Sequence, residues 1–384
     1  MQQPPGFVDP NFPDHVCHLK KSLYGLKQAP RQWFAKFSIF RCLLVFVKSV
    51  NDHSMFFLHS ASDILVLLLY VDDINLPGNP KCLMGKLIAS LKTEFAMKYL
   101  RNLNFFLGIE PVRHSDSLVL KQKKYTLELL ERDKMLECKP CDTPVAKTHR
   151  ASIHDDTLLE DPIEFRTIIG GLQYLTHNRP DICFGVNYVS QFMHAPTDCQ
   201  LLLVKRILRY LKGSIGQGLT IHPGDVTSLK GYIDPDWAGC ADTRRSISGY
   251  GVFLGSSLIS WSSKKHHTVS KSSVEAEYKD LSVATAELKW ISYVQNDLHV
   301  PLQLPVQLHC VNTSAIALSA NPVFHARIKH IEIKYHTVRE LIESVFLVVS
   351  HVLSEEQIAD IFTKGLCFPS HSILLHLLLD VPVT

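Results

Sequence analysis

Eight consecutive apolar residues, Ile64-Leu-Val-Leu-Leu-Leu-Tyr70-Val71, run straight into two adjacent carboxylates, Asp72 and Asp73. The run is too short to cross a membrane, and its length suits a strand buried on both faces. Asp63 ahead of it and Asn75-Leu-Pro77-Gly78 behind it supply turn residues that bound the element. Paired carboxylates at the end of a buried strand repel each other and resist desolvation, so they need a cation or strong donors nearby. Paired aspartates also cap ordinary hairpin turns, and the pair alone leaves both readings open.

A chain of 384 residues has room for two or three domains with sizeable cores. Its net charge of only +3 excludes a polyanion-binding surface spread over the whole molecule, so any nucleic-acid surface must be a local patch. The first thirty residues hold no apolar segment after a basic start, and no signal peptide is expected. The ten cysteines then read as reduced thiols. Cys138-Lys-Pro-Cys141 has no second pair at zinc-ligand spacing. The apolar stretch Ile373–Leu379 is interrupted by His376 and too short for a membrane span.

Periodicity predicts helices over 31–47, 81–95, 165–177, 182–194 and 201–211, with a polar, aperiodic linker over 143–160. Met55–Leu58 and Ile64–Val71 read as an antiparallel hairpin, and Phe105–Ile109 with Leu118–Leu120 as two further strands. From Lys230 onward the pattern is three strands, a long helix over 273–298, a strand at 306–310, a helical stretch at 314–320, a strand at 346–352 and a last helix at 355–364.

The segment Leu23-Tyr-Gly-Leu-Lys-Gln-Ala-Pro-Arg-Gln-Trp33 followed by Tyr70-Val-Asp-Asp73 resembles the reverse transcriptase of copia-type LTR retrotransposons, particularly those of plants. Similar motifs continue in order: Gly171-Leu-Gln-Tyr-Leu175, Arg179-Pro-Asp181, Asp234-Pro-Asp-Trp-Ala-Gly239, Arg244-Arg-Ser-Ile-Ser-Gly-Tyr250, Glu275-Ala-Glu-Tyr278 and Gln357-Ile-Ala-Asp-Ile-Phe-Thr-Lys364. The resemblance reaches to about Leu366. It implies an α+β and α/β multidomain chain. A partial reverse-transcriptase palm and thumb, with most of the fingers missing, spans 1–145, and a linker and helical connection spans 146–224. An RNase H-like α/β domain with a mixed sheet spans 225–366, and a divergent tail 367–384.

The same resemblance implies paired Mg²⁺ ions at each of two sites, an RNA template, a DNA primer and an RNA–DNA hybrid as partners, no membrane, and other Pol or Gag products of the element as possible companions. It implies an intracellular place, cytoplasmic within a virus-like particle or nuclear. Asp72 and Asp73 correspond to palm metal ligands, and Gln28 to a contact of the incoming nucleotide. A helix-start hydrogen bond is the other reading of Gln28. A further palm aspartate is expected upstream of the Gln-Pro-Pro-Gly segment that starts here at Gln3. The chain opens inside that segment, so its polymerase half is expected to be inactive alone.

RNase H chemistry needs carboxylates on separate elements that converge on two metal ions about 3.5–4 Å apart. Asp234 closes the first strand of the domain and matches the family's first catalytic position. Asp236 shares its face if the strand runs on through Pro235. In the long helix, Glu277, Leu281, Ala284, Leu288 and Ile291 form one stripe at i, i+4, i+7, i+11 and i+14, which puts Glu277 toward the core. Glu275 lies off it, spaced for a solvated pair with Lys279 and for a capping box with Ser272. Asp360 opens the last predicted helix at the family's final carboxylate, although a charge near a helix start also has a dipole explanation.

The remaining carboxylate is replaced: the family pattern Cys-Asp-Asn-Thr reads Cys310-Val311-Asn312-Thr313 here. Valine cannot coordinate a cation. Lys264 and Lys265, with His266, His267 and Lys271, either track phosphates ahead of the long helix or form a solvated basic loop. The expected function is that of a retrotransposon RNA-directed DNA polymerase and RNase H fragment, impaired in catalysis. A non-enzymatic nucleic-acid-binding remnant, or a decayed copy without function, is the alternative.

Overall fold

Alternation governs the first unit of the fold, Met1–Arg101. Along the apolar run, Leu65, Leu67 and Leu69 are buried while Ile64, Val66 and Leu68 are only half-buried. This corrects the expectation of burial on both faces, because in a strand every second side chain points away from the packed face. The structure, a computed structural model, describes residues 1–20, 26–43, 46–59, 64–71, 73–78, 81–146, 151–320 and 332–379. Helix α1 (Ala29–Leu43) precedes strands β1 (Val47–Lys48), β2 (Met55–His59), β3 (Ile64–Tyr70) and β4 (Asp73–Asn75), and α2 (Lys81–Glu94) follows. The strands form one antiparallel sheet in chain order. Phe37 from α1, Leu87 and Leu91 from α2, and Phe95 just beyond it pack on Phe56, Leu65 and Leu67. The spacing of Trp33, Phe37 and Phe40 gives α1 the apolar stripe that makes this possible.

The second unit, Asn102–Thr384, begins with β5 (Glu110–Arg113), β6 (Leu118–Lys121) and α3 (Lys123–Arg132). The boundary expected at residue 145 therefore falls inside it. Helices α4 (Ile163–Leu175), α5 (Cys183–Ser190) and α6 (Asp198–Gly213) share one core with α3, and β7 (Gly218–Ile221) completes a three-stranded sheet in the order β5-β6-β7. The strand expected over Phe105–Ile109 is instead a tight turn: Phe106 and Ile109 bridge each other, and Leu107 and Gly108 have positive φ.

Between α4 and α5 lies a buried ion pair. Arg179 donates from Nε and Nη2 to the two oxygens of Asp181 at 2.9 and 2.7 Å, and from Nη2 to the Ser214 hydroxyl at 2.8 Å. The Tyr210 hydroxyl donates to Asp181 Oδ2 at 2.7 Å. Burial opposes ionisation of Asp181, but the Arg179 charge and these hydrogen bonds outweigh it and hold the carboxyl below its ordinary range.

The remaining elements are β8 (Leu229–Asp236), β9 (Ile247–Leu254), β10 (Ser257–Lys265), α7 (Ser273–Asp297), β11 (Val306–Cys310), α8 (Thr313–Ala320), α9 (Glu332–Glu343), β12 (Leu347–His351) and α10 (Ser370–His376). Their sheet runs β10-β9-β8-β11-β12, antiparallel through β10, β9 and β8 and parallel from β8 through β11 to β12. The predicted stripe of α7 does the packing: Leu281, Ala284, Leu288 and Ile291 cover Ile233, Val306 and Leu308. Gly231 leaves room for its cross-strand partner on β11, since a Cβ there would stand 2.9 Å from Leu308 Cδ1. Pro235, which has no N–H, lies past the last β8–β11 pair, Tyr232 with His309, so only the β9 ladder runs beside it.

One expectation fails in the last third. Residues 355–364 form 3₁₀ turns, Ser354–Glu356 and Ile358–Phe362, in place of an α-helix. The buried Gln357 side chain accepts from Ala359 N and donates to the Ile233 carbonyl of β8, which caps the segment locally and ties it to the sheet. The tail also packs: Leu374, Leu375, Leu378 and Leu379 join Phe253, Leu258 and Phe362 in a core, and Leu379 bridges Leu219 of β7.

Asp181→Asn is expected to destabilise the protein by about 3–5 kcal/mol, because Arg179 is left buried without its countercharge. The joint replacement Arg179→Met with Asp181→Leu is expected to recover most of that loss. Urea unfolding of the full chain measures both, and an Asp181→Asn midpoint equal to that of the parent chain would contradict the assignment.

Candidate active site

The end of β8 gathers charge. Asp234, only 6 % exposed, sits on the central strand, where β9 continues beside it and the pairing with β11 has ended. Its Oδ2 accepts from the Thr363 hydroxyl at 2.5 Å, and its Oδ1 from Lys364 Nζ at 3.2 Å. The same ammonium donates to Asp360 Oδ1 at 2.7 Å. Glu277 faces this group from α7, and its Oε2 accepts from the Cys310 thiol at 3.5 Å.

The electrostatics follow from burying like charges together. Burial, and then the negative charge of Asp234, push the Glu277 carboxyl up to about 8. Without a cation it is therefore mainly a neutral acid near pH 7. Burial and Asp234 also raise Asp360. For Lys364 burial works against the charge, but Asp234 and Asp360 outweigh it and hold the ammonium above its ordinary range.

Sequence reasoning missed three participants. Thr363 and Lys364 supply the donors for Asp234, and the i, i+4 spacing of Asp360 and Lys364 was the available signal. Asp280 is the third. It is fully buried three residues after Glu277, hence on the same side of α7, and its Oδ1 lies 2.7 Å from His266 Nε2. Burial raises it to about 6 against the pull of His266, and Asp234 adds to the rise. His266 is thus engaged inside the protein and is not part of a solvated basic loop.

Other assignments also change. The Glu275–Lys279 pair is buried, at 2.9 Å, with Lys279 further held by Thr268 and Ser270. Ser272 caps α7 by accepting from Glu275 N, but the Glu275 carboxylate accepts from Lys271 N, so the expected reciprocal box is shifted by one residue. Lys264 and Lys265 end β10, one exposed and one turned inward, with Lys265 Nζ donating to Gln191 and Cys240. Asp236 continues β8, paired with Ile247.

Val311 occupies the bend after β11, half-buried, where the sequence pattern led us to look for a carboxylate. Asn312 cannot substitute, because its Oδ1 caps α8 by accepting from Ala315 N at 3.0 Å. Among the described residues, no three His, Cys, Asp or Glu side chains are arranged to hold a metal ion as they stand. Yet Asp234, Asp360 and Glu277 are hard oxygen donors of the kind Mg²⁺ takes. The Lys364 ammonium between Asp234 and Asp360 marks a position that already holds a cation, so the residues fit one such ion.

In the first unit, Asp72 lies outside the described residues. Asp73 opens β4, exposed and paired with Tyr70. Val71 between them takes a φ of 51°, strained for a β-branched residue, and its carbonyl accepts from Trp33 Nε1. Gln28 is exposed in the turn ahead of α1, and its carbonyl accepts from Gln32 N at 3.0 Å.

The second unit thus presents a five-stranded mixed sheet with acidic residues gathered at the end of its central strand. Residues 1–147 match the model of the family described as reverse transcriptase (RNA-dependent DNA polymerase). The chain is 45 % identical over 366 residues to the retrovirus-related Pol polyprotein from transposon RE2 of Arabidopsis thaliana, covering 95 % of this chain and 25 % of that one. It is 38 % identical over 374 residues to the corresponding polyprotein from transposon TNT 1-94 of Nicotiana tabacum, covering 95 % of this chain and 28 % of that one. An uncharacterized mitochondrial protein of Arabidopsis thaliana is 46 % identical over 228 residues, 59 % of this chain and 95 % of its own length. An RNase H1 isolated from compost overlaps 36 % of this chain and 93 % of its own, at 16 % identity and a TM-score of 0.29. The chain belongs to the copia-type retrotransposon Pol polyprotein family of plants, and it spans about a quarter of the length of the Pol polyproteins it matches.

Glu277 gives the site a pH signature. Its folded value of about 8 lies above its ordinary 4.5. Its contribution to stability is therefore complete below about pH 4.5 and is lost as pH rises through about 8. In chelator, the parent chain is expected to lose stability across that range more steeply than Glu277→Gln. Equal slopes in thermal melts of the two proteins would show that the carboxyl is not held neutral.

Proposed function

We propose that residues 225–366 are a ribonuclease H-type module that acts on RNA–DNA hybrids, with cleavage held low in this chain by Val311. Residues 1–145 are, in the same reading, polymerase-derived sequence whose ancestral partners are an RNA template and a DNA primer and in which Asp72 and Asp73 correspond to metal ligands. One observation carries the nuclease reading: Asp234, Glu277 and Asp360 come from three separate elements and gather at the end of the central strand, with the Lys364 ammonium bridging two of them.

When bound, a pair of Mg²⁺ ions supplies an activated water and neutralises the leaving oxygen. Asp234 and Asp360 are the carboxylates that would hold the first ion, and Glu277 joins them once it gives up its proton. Thr363 fixes the orientation of Asp234 through its hydroxyl. Lys264, exposed at the end of β10, is the lysine we assign to a phosphate contact, because Lys265 turns inward and donates to Gln191. At Val311 no carboxylate is available for a second ion, so water activation and leaving-group stabilisation weaken together. That vacancy also favours the second reading, a module that binds hybrid without cutting it.

Restoring the carboxylate separates the two. Val311→Asp is expected to raise Mg²⁺-dependent cleavage of an RNA–DNA hybrid by orders of magnitude, and adding Glu277→Gln is expected to abolish the gain. Valine suits a strand end, so the parent chain should be folded in this comparison. A parent chain that already cleaves at a rate Val311→Asp does not improve would overturn the assignment.

A further inference from the structure

Lys364 does more than an exposed i, i+4 partner of Asp360 does. Its ammonium bridges two carboxylates that are far apart in sequence, at 2.7 Å from Asp360 Oδ1 and 3.2 Å from Asp234 Oδ1. Its side chain is 42 % exposed, whereas those of Asp234 and Asp360 are 8 % and 20 % exposed. The charged head therefore has a wider path into solvent than the two acids it leaves behind. Thr363 holds the other oxygen of Asp234, so the carboxylate keeps its place when the ammonium departs. Val311, which follows the Cys310 that donates to Glu277, brings no negative charge that would help a divalent ion compete.

We propose that Lys364 is a built-in counter-ion that occupies the cation position between Asp234 and Asp360, and that it must withdraw before a divalent ion binds there. The inference rests on the reading of these carboxylates as a metal site. An ammonium and a divalent cation repel strongly at such separations, and one carboxylate oxygen cannot serve both at full strength. Lys364 thus sets the divalent affinity of the site and keeps the acids assembled when no metal is present.

The test is Mn²⁺ binding to the full chain by isothermal titration calorimetry. Lys364→Met is expected to bind Mn²⁺ at least about tenfold more tightly than the parent, because the competitor is gone while the ligands remain. Lys364→Arg keeps the charge and is expected to stay weak. A folded Lys364→Met protein that binds no more tightly than the parent overturns the proposal, as does an arginine variant that tightens as much as the methionine one. Adding Asp234→Asn to Lys364→Met is expected to remove the binding. If binding survives, the ion lies elsewhere and the underlying site reading is what fails. A second measurement needs no variant: amine acetylation of Lys364 in the parent chain, followed by mass spectrometry, is expected to rise several-fold with saturating Mn²⁺. Unchanged or lower labelling overturns the proposal.

Discussion

A buried aspartate on a central strand has to be compensated, and in this protein the compensation comes from the far end of the domain. Asp234 would be intolerable at 6 % exposure without donors. Gln357 ties the 354–364 segment to the carbonyl of Ile233, and Thr363 and Lys364 then reach the carboxylate next door. This one arrangement fixes the 3₁₀ path of the segment, puts Asp360 beside Asp234, and leaves Glu277, raised first by its own burial, facing a negative charge that adds to the rise. The order matters. Remove the compensation and the strand loses its reason to present an acid at all.

Much of this was legible in the residues. The i, i+4, i+7 stripe of the long helix placed Glu277 inward, and turn chemistry with apolar runs located every strand of the five-stranded sheet. Illegible features were those set by partners distant in sequence. Glu275 and Lys279 have the spacing of a surface pair, and only the loop carrying Thr268 and Ser270 makes them a buried one. Residues 355–364 have helical spacing, but the side chain of Gln357 does the work of a helix cap and of a tether together. Nothing in its own stretch of sequence marks Asp280 as buried, because its partner His266 comes from another element. The apolar run misled in the other direction: uniform hydrophobicity reads as two-sided burial, whereas the sheet buries alternate residues only.

Buried charge recurs away from the site with the opposite character. Arg179 and Asp181 saturate each other through two hydrogen bonds and involve Tyr210 and Ser214, so the pair is rigid and self-contained. The Asp234 group is left incomplete, with a neutral acid and a partly exposed ammonium. The first arrangement holds helices in register. The second keeps chemical capacity in reserve. Buried ion pairs of the first kind are weak evidence for net stability, and their better-attested use is to specify one arrangement among several.

The tether between Lys364 and Asp234 spans 130 positions of sequence. A ribosome adding roughly 5–20 residues per second needs on the order of 6–26 seconds to travel that distance. For that interval β8 exists as nascent chain with its aspartate unneutralised, its parallel neighbour β11 emerging about midway and β12 only near the end. The growing polypeptide therefore carries no acidic cluster to trap cations beside its own message until nearly the whole domain has emerged.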